Sequence, residues 1–202
     1  MTDAWRDVAE TCLGWLHSDE GPALQQYAWR AVEDCSPQYP FVEIGGYAGK
    51  SACWLGDVAR RNETLLYSVD WHRGSPEMEP DRECHHPEMI GRDGLFDSLP
   101  HFRVNMRRAE LEGWVIPVVG DSRKIGPRWH TQASLLFIDG GHDAETVYSD
   151  FIGWQQNVIP GGYLLFHDAT IPEIGAVADL AVDSGTFKLV EQVDSLRVLQ
   201  RR

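Results

Sequence analysis

Cysteine is scarce in this sequence: Cys12, Cys35, Cys53 and Cys84 are the only four in 202 residues, and no two stand in C-x-x-C spacing. That excludes a disulfide-stapled miniature fold and points to free thiols in a reducing compartment. No signal peptide stands in the polar start MTDAWRDVAE, so a cytoplasmic protein is expected. Long apolar runs are absent too. None approaches the ~20 residues that span a bilayer, and no basic amphipathic helix suggests attachment to a membrane surface. Positive charge is in short supply, 18 basic against 31 acidic side chains for a net charge of −13. Such a balance opposes a phosphate backbone and disfavours nucleic acid as partner. Internal repeats and low-complexity segments are also missing. What is present is the length of one domain, over 1–202, with 43% hydrophobic and 24% charged residues. That is enough to bury a substantial core.

Five short apolar runs end in a polar or glycine-rich step: FVEIGG (41–46), LLYSVD (65–70), WVIPVVGD (114–121), SLLFIDGG (134–141) and GYLLFHD (162–168). Each suits a fully buried strand of a parallel sheet, although periodicity alone also fits a buried helix. The segments between them decide the matter. Ala52, Leu55, Val58 and Ala59 share one helical face after the first run, and Ala144, Val147, Tyr148 and Phe151 do so after the fourth. Alternating strand and helix gives βαβ units, hence an α/β, Rossmann-like, doubly wound and mostly parallel sheet. FKLVEQV and SLRVLQ flank Asp194 and read as a terminal antiparallel pair, which makes seven strands. Upstream, residues 1–36 form a helical cap, with Pro22 near a helix start and Ala23, Tyr27, Ala28 and Ala31 on one face. Residues 71–98 lack periodicity and exceed ordinary loop length, the profile of a lid, a binding loop or a disordered insertion.

Ligands of open α/β sheets bind beyond the carboxyl ends of the strands. The first strand closes in Glu43-Ile44-Gly45-Gly46-Tyr47-Ala48-Gly49-Lys50-Ser51, a turn that lets a ligand approach the backbone. The second ends at Asp70, twenty-one residues beyond Gly49, the distance at which an acid meets ribose hydroxyls in nucleotide-type folds. Together they describe an adenosine site. A P-loop would need glycine where Ile44 stands, and a dinucleotide fingerprint would need glycine in place of Tyr47. The remaining pattern is E-x-G-x-x-x-G followed by an acid at the next strand end. The bland alternative is a set of glycines that merely permits a tight turn.

With that pattern the chain resembles the class I methyltransferases that use S-adenosyl-L-methionine (SAM). It is most similar to small bacterial O-methyltransferases, through Phe137-Ile138-Asp139-Gly140-Gly141-His142 and Pro160-Gly161-Gly162, and the likeness runs from Gly14 to Gln200. The resemblance implies that Glu43, Gly45 and Gly49 lie against the methionine part of SAM and that Gly46, Tyr47 and Ser51 of the same turn also bind the cofactor. It implies that Asp70, followed by Trp71, holds the ribose, and that Asp121 and Ser122 contact adenine, with Asp139 beside the cofactor. Gly46-Tyr47 departs from the small polar residue that many relatives carry there.

The fourth and fifth strands, neighbours in such a sheet, end at Asp139 and Asp168, with His142 and His167 close by. In related sugar and catechol-type O-methyltransferases the positions matching the two aspartates coordinate Mg²⁺. The position matching His167 is commonly an oxygen ligand, so a divalent metal held by Asp139, Asp168 and His167 is implied, with Mg²⁺ or a transition metal as its identity. Attack by an oxygen on the sulfonium methyl demands proton removal. His142, with an ordinary pKa of roughly 6.5, suits a general base beside Asp139. The plain alternatives are a helix-start hydrogen bond for His142, capping for the aspartates and a structural role for His167. Trp71, His72, Arg73, Glu77, Glu79, His85 and His86 crowd the long loop, where solvent-exposed polarity competes with metal ligation. The remaining tryptophans read as core or interface. The expected reaction is O-methylation of a small-molecule acceptor, a sugar or natural-product intermediate, with no nucleic acid or membrane partner and a homo-oligomer left open. Two other functions fit the same fold: a non-catalytic SAM-binding module, and a metal-dependent hydroxylase or hydrolase.

Overall fold

The computed structural model describes residues 3–82 and 84–202. In chain order the elements are α1 (Ala4–Thr11), α2 (Glu20–Asp34), β1 (Phe41–Ile44), α3 (Lys50–Arg61), β2 (Leu66–Asp70), α4 (Leu99–Arg108) and β3 (Val115–Val119). There follow α5 (Ser122–Ile125), β4 (Ala133–Ile138), α6 (Ala144–Trp154), β5 (Val158–Phe166), α7 (Pro172–Asp183), β6 (Phe187–Val193) and β7 (Leu196–Arg201). They build a seven-stranded sheet of order β3-β2-β1-β4-β5-β7-β6, parallel from β3 to β5 and antiparallel at β7 and β6. The doubly wound sheet with a terminal antiparallel pair is the expected fold. Among the described residues no helix is long and apolar enough to cross a membrane.

Strand alternation divides the core. On central β4, Leu135 and Phe137 point into a layer with Trp5, Leu24, Tyr27, Leu55 and Phe102 from α1 to α4, while Leu136 and Ile138 meet Val147, Phe151, Trp154 and Ile174 from α6 and α7. All six residues of β4 are buried, which is why its sequence reads as an apolar run broken only by Ser134. Each fully buried large side chain of this kind contributes roughly 1.5–3 kcal/mol.

Three local details differ from the sequence reading. The cap contains two helices, since Trp5, Val8 and Ala9 of α1 bury one face against α3. On α6 the buried face is Val147, Asp150, Phe151 and Trp154, whereas Ala144 and Tyr148 face outward. A burial face through Asp150 is hidden in a polarity pattern because that carboxylate is satisfied locally, by Ser122 Oγ at 2.6 Å. Pro160-Gly161-Gly162 lies inside β5 rather than before it, accommodated by a register shift between Ala133 and Leu135.

The register positions the site. Ile44 pairs with Val69 on one side and Ile138 on the other, and Ile138 pairs with Phe166. The residues just past these, Gly45, Asp70, Asp139 and His167, therefore form one row along the carboxyl edge of the sheet.

Candidate active site

Beyond that edge opens a cavity of about 1140 Å³, walled by the β1 turn, the ends of β2, β4 and β5, the loop after β2 and the segment Leu13–His17. Gly45, Gly46, Tyr47, Ser51, Asp70, Trp71, Asp121, Ser122, Asp139, His142, His167 and Asp168 all line it. Of the cofactor and metal residues expected from the sequence, Glu43 and Gly49 are not on its wall. Glu43 is buried behind the turn, where its carboxylate accepts Ser51 Oγ at 2.5 Å and Ser68 Oγ at 2.6 Å. Burial drives its pKa up to about 7 against those two bonds. Gly49 caps α3 with φ +94°, packed against Met106 and Phe102.

Gly45 also has φ +94°, and a Cβ there would run into the carbonyl of Asp139. The β1 turn is thus pressed against the end of β4. Tyr47, in the left-handed region at φ +41°, donates its N–H to Asp70 Oδ2 at 2.7 Å, and His72 N–H bonds Asp70 Oδ1 at 2.6 Å. Each Asp70 oxygen keeps a lone pair for a further donor. At the end of β3, Asp121 instead spends both oxygens on the Arg123 guanidinium, at 2.9 and 3.1 Å, besides capping α5. Asp150 lies beneath this corner, where burial lifts its pKa to about 6 against the Ser122 bond.

The acidic end of the cavity is built around His167. Its ring is 3% exposed, with Nε2 3.0 Å from Glu20 Oε2. Nδ1 lies between two carboxylates, 2.9 Å from Asp139 Oδ1 and 3.1 Å from Asp168 Oδ2. Burial works against charge on this ring, but Asp139, then Asp168 and Glu20, outweigh it and push the pKa up to about 12. Burial raises the carboxyl of Asp139, with His167 opposing. Asp168 is held below the ordinary carboxylate range, where two imidazoles overcome its desolvation. Its backbone sits at φ +51°, a left-handed conformation rare outside glycine and common at functional sites.

His142 joins from the α6 side, with Nε2 3.3 Å from Asp168 Oδ2 and Nδ1 3.7 Å from Glu77 Oε1. The contact with Asp168, reinforced by Glu77 and resisted by burial, raises its pKa. Asp139, His142 and Asp168 each offer a ligand atom, and these atoms all lie within 4.8 Å of one another, a group that could hold a metal ion.

Two parts of this site were not read from the sequence. Glu20 is fully buried at the start of α2, and a lone acid before Gly21-Pro22 carries no sequence mark of a partner 147 residues away. Glu77, one of the loop residues for which solvent-exposed polarity competes with metal ligation, reaches His142 instead, 3.7 Å from its Nδ1. The loop histidines go elsewhere: His72 is buried with Nδ1 on Ser98 Oγ at 2.8 Å, His85 Nδ1 meets the carbonyl of Met78 at 3.0 Å, and His86 packs near Trp15 and Tyr47.

The site thus combines a glycine turn, a strand-end acid and paired acids on neighbouring strands of a seven-stranded sheet, and comparison with known proteins shows the family. Residues 42–169 match the family model described as a methyltransferase domain, which is well over half of the chain. The chain belongs to that family. Among solved structures it is similar to the O-methyltransferase NovP, at 17% identity and TM-score 0.73, over 99% of this chain and 88% of that one. It is also similar to an O-methyltransferase from Bacillus cereus in complex with SAH, at 14% identity and TM-score 0.66, over 100% and 92%. TomG from Streptomyces achromogenes, in complex with SAM, aligns at 13% identity and TM-score 0.65, over 100% and 90%. The shared fold is that of the class I SAM-dependent methyltransferases.

Proposed function

We propose that this methyltransferase moves the methyl group of SAM to a hydroxyl oxygen of a small molecule, a sugar or a natural-product intermediate. The observation that carries this reading is one cavity that holds both the Gly45–Asp70 turn and the Asp139–His142–His167–Asp168 cluster. NovP, the Bacillus cereus enzyme and TomG, O-methyltransferases on the same fold, support it. The adenosyl part of SAM takes the β1–β3 end, with Asp70 accepting from the ribose hydroxyls, and the sulfonium points toward Asp139.

In the reaction an acceptor oxygen forms a bond to the methyl carbon as the carbon–sulfur bond breaks, and S-adenosylhomocysteine (SAH) leaves. The hydroxyl proton passes to His142, whose imidazole is placed by Asp168 on one side and Glu77 on the other. Asp139 lies beside the reacting centre and keeps negative charge near the sulfonium.

A divalent metal fits the same cluster. Nδ1 of buried His167 faces Asp139 Oδ1 and Asp168 Oδ2 at 2.9 and 3.1 Å, so an ion there would take the place of the proton that the two carboxylates favour on that nitrogen, through bonds of about 2.0–2.2 Å. Asp139, His167 and Asp168 would hold it, and one imidazole with two carboxylates favours a transition ion such as Mn²⁺ or Zn²⁺ over Mg²⁺. Bound there, the ion would acidify the acceptor hydroxyl.

Calorimetry with SAM and SAH, followed by product analysis on a panel of sugar and phenolic acceptors, tests the proposal. Both ligands should bind, and SAH should accumulate only with a competent acceptor. Folded protein that binds neither ligand at millimolar concentration overturns it.

A further inference from the structure

Glu20 stands outside everything assigned so far, and its surroundings are unusual. It is a carboxylate with no exposed surface, at the first residue of a helix, and four donors converge on it. Ser195 N–H and Ser195 Oγ donate to Oε1 at 3.0 and 2.6 Å, while His17 N–H reaches Oε2 at 2.8 Å beside His167 Nε2 at 3.0 Å. Both oxygens are thereby filled, and the group has no freedom to turn. The donors come from three separate places: the start of α2, the end of β5 and the β6–β7 turn. A buried carboxylate is expensive unless every lone pair is used, so the arrangement leaves His167 one role at Nε2, that of hydrogen donor.

From this geometry we infer that Glu20 is a positioning residue for the metal centre: it fixes the His167 ring with hydrogen on Nε2 and turns Nδ1, as ligand, toward Asp139 and Asp168. The inference rests on the metal-holding cluster proposed above and deepens it. A carboxylate behind a ligating imidazole sets tautomer and ring orientation and raises ligand basicity, and loss of such a partner costs about 10–100-fold in metal affinity. The same carboxylate ties the cap helix and the C-terminal turn to the site, so the ligand is held by parts of the chain at both ends.

A purely structural staple would have the same bonds, and the two roles separate by experiment. Glu20→Gln keeps the shape, but an amide accepts through only one oxygen and sets its NH₂ against donors on the other side. Calorimetry with Mn²⁺ should show affinity lower by about 10–100-fold than in wild type, with SAH affinity within about twofold. Unchanged Mn²⁺ affinity in a Glu20→Gln protein that still binds SAH overturns the inference and leaves the metal site standing. Absence of Mn²⁺ binding by wild type overturns the metal site and the inference together. If Glu20→Gln fails to fold, ¹⁵N-histidine spectra of wild type titrated with Zn²⁺ decide. His167 should keep a protonated Nε2 while Nδ1 shifts with the ion, and the opposite tautomer or an unmoved Nδ1 overturns the assignment.

Discussion

Tyr47 donates its backbone N–H to Asp70 Oδ2 at 2.7 Å, so the turn after β1 and the acid ending β2 act as one unit. A second backbone N–H, from His72, holds the other oxygen at 2.6 Å. Asp70 is therefore a preoriented acceptor, with its free lone pairs turned to the cavity.

The first expected outcome follows from comparing that acid with Asp121, whose oxygens are committed to Arg123. Asp70→Asn should lower SAH affinity by about tenfold or more, the worth of a hydrogen bond to a charged acceptor, and Asp121→Asn should change it far less. Isothermal titration of the two folded variants checks it, and equal affinities would show that Asp70 does not meet the ribose.

Glu43 makes stability depend on pH in a direction opposite to most carboxylates. Burial raises its folded pKa from 4.5 to about 7, so between these values the folded protein keeps a proton that the unfolded chain releases. The stability this proton supplies is complete below about 4.5 and is lost as pH rises through about 7, by roughly 3 kcal/mol at most. Glu43→Gln does not titrate and should gain on wild type across that window. Urea unfolding of both proteins at pH 5 and pH 7.5 measures the change, and an identical difference at both values would contradict the raised pKa.

For the proton acceptor, His142→Ala should cost roughly 10²–10⁴-fold in single-turnover rate with a competent acceptor while SAH affinity stays unchanged. Glu77→Gln, which leaves the imidazole in place and removes one neighbouring charge, should cost less. A His142→Ala protein as fast as wild type would assign the proton to another group.

Asp139→Asn and Asp168→Asn should each abolish Mn²⁺ binding in calorimetry, since each removes one of two carboxylates facing His167 Nδ1 at about 3 Å. Chelation of wild type should lower turnover and leave SAH binding intact, because the proposed SAM contacts come mainly from β1, β2 and β3. Full activity after exhaustive chelation would remove the metal from the reaction.

The strand ends were legible because each of the five parallel strands ends in an apolar run closed by Gly, by Asp or, for β5, by His167-Asp168, and the sheet must present those closures on one edge. Gly45, Asp70, Asp139 and Asp168 could be named on that ground, and the structure brings them to one cavity. Glu20 could not, and Glu77 could be named only as one of several polar residues of the long loop. Their roles depend on folding the cap and the long loop back over the sheet, and side chains in such segments carry no period to betray what they meet. Asp150 was missed for a related reason: a buried acid satisfied by a serine on another element looks, along the chain, like a solvent-facing residue of α6.

Glu20 and Ser195 lie 175 residues apart and are joined by two hydrogen bonds. During synthesis the acid leaves the ribosome 175 residues before its hydroxyl partner. Until the β6–β7 hairpin forms, the start of α2 cannot bury Glu20 against its full set of donors, so the end of the cavity around His167 is completed only after that turn has been made. A chain cut short before the β6–β7 turn would retain every strand that ends in the SAM pocket and still lack the keystone of its acidic end.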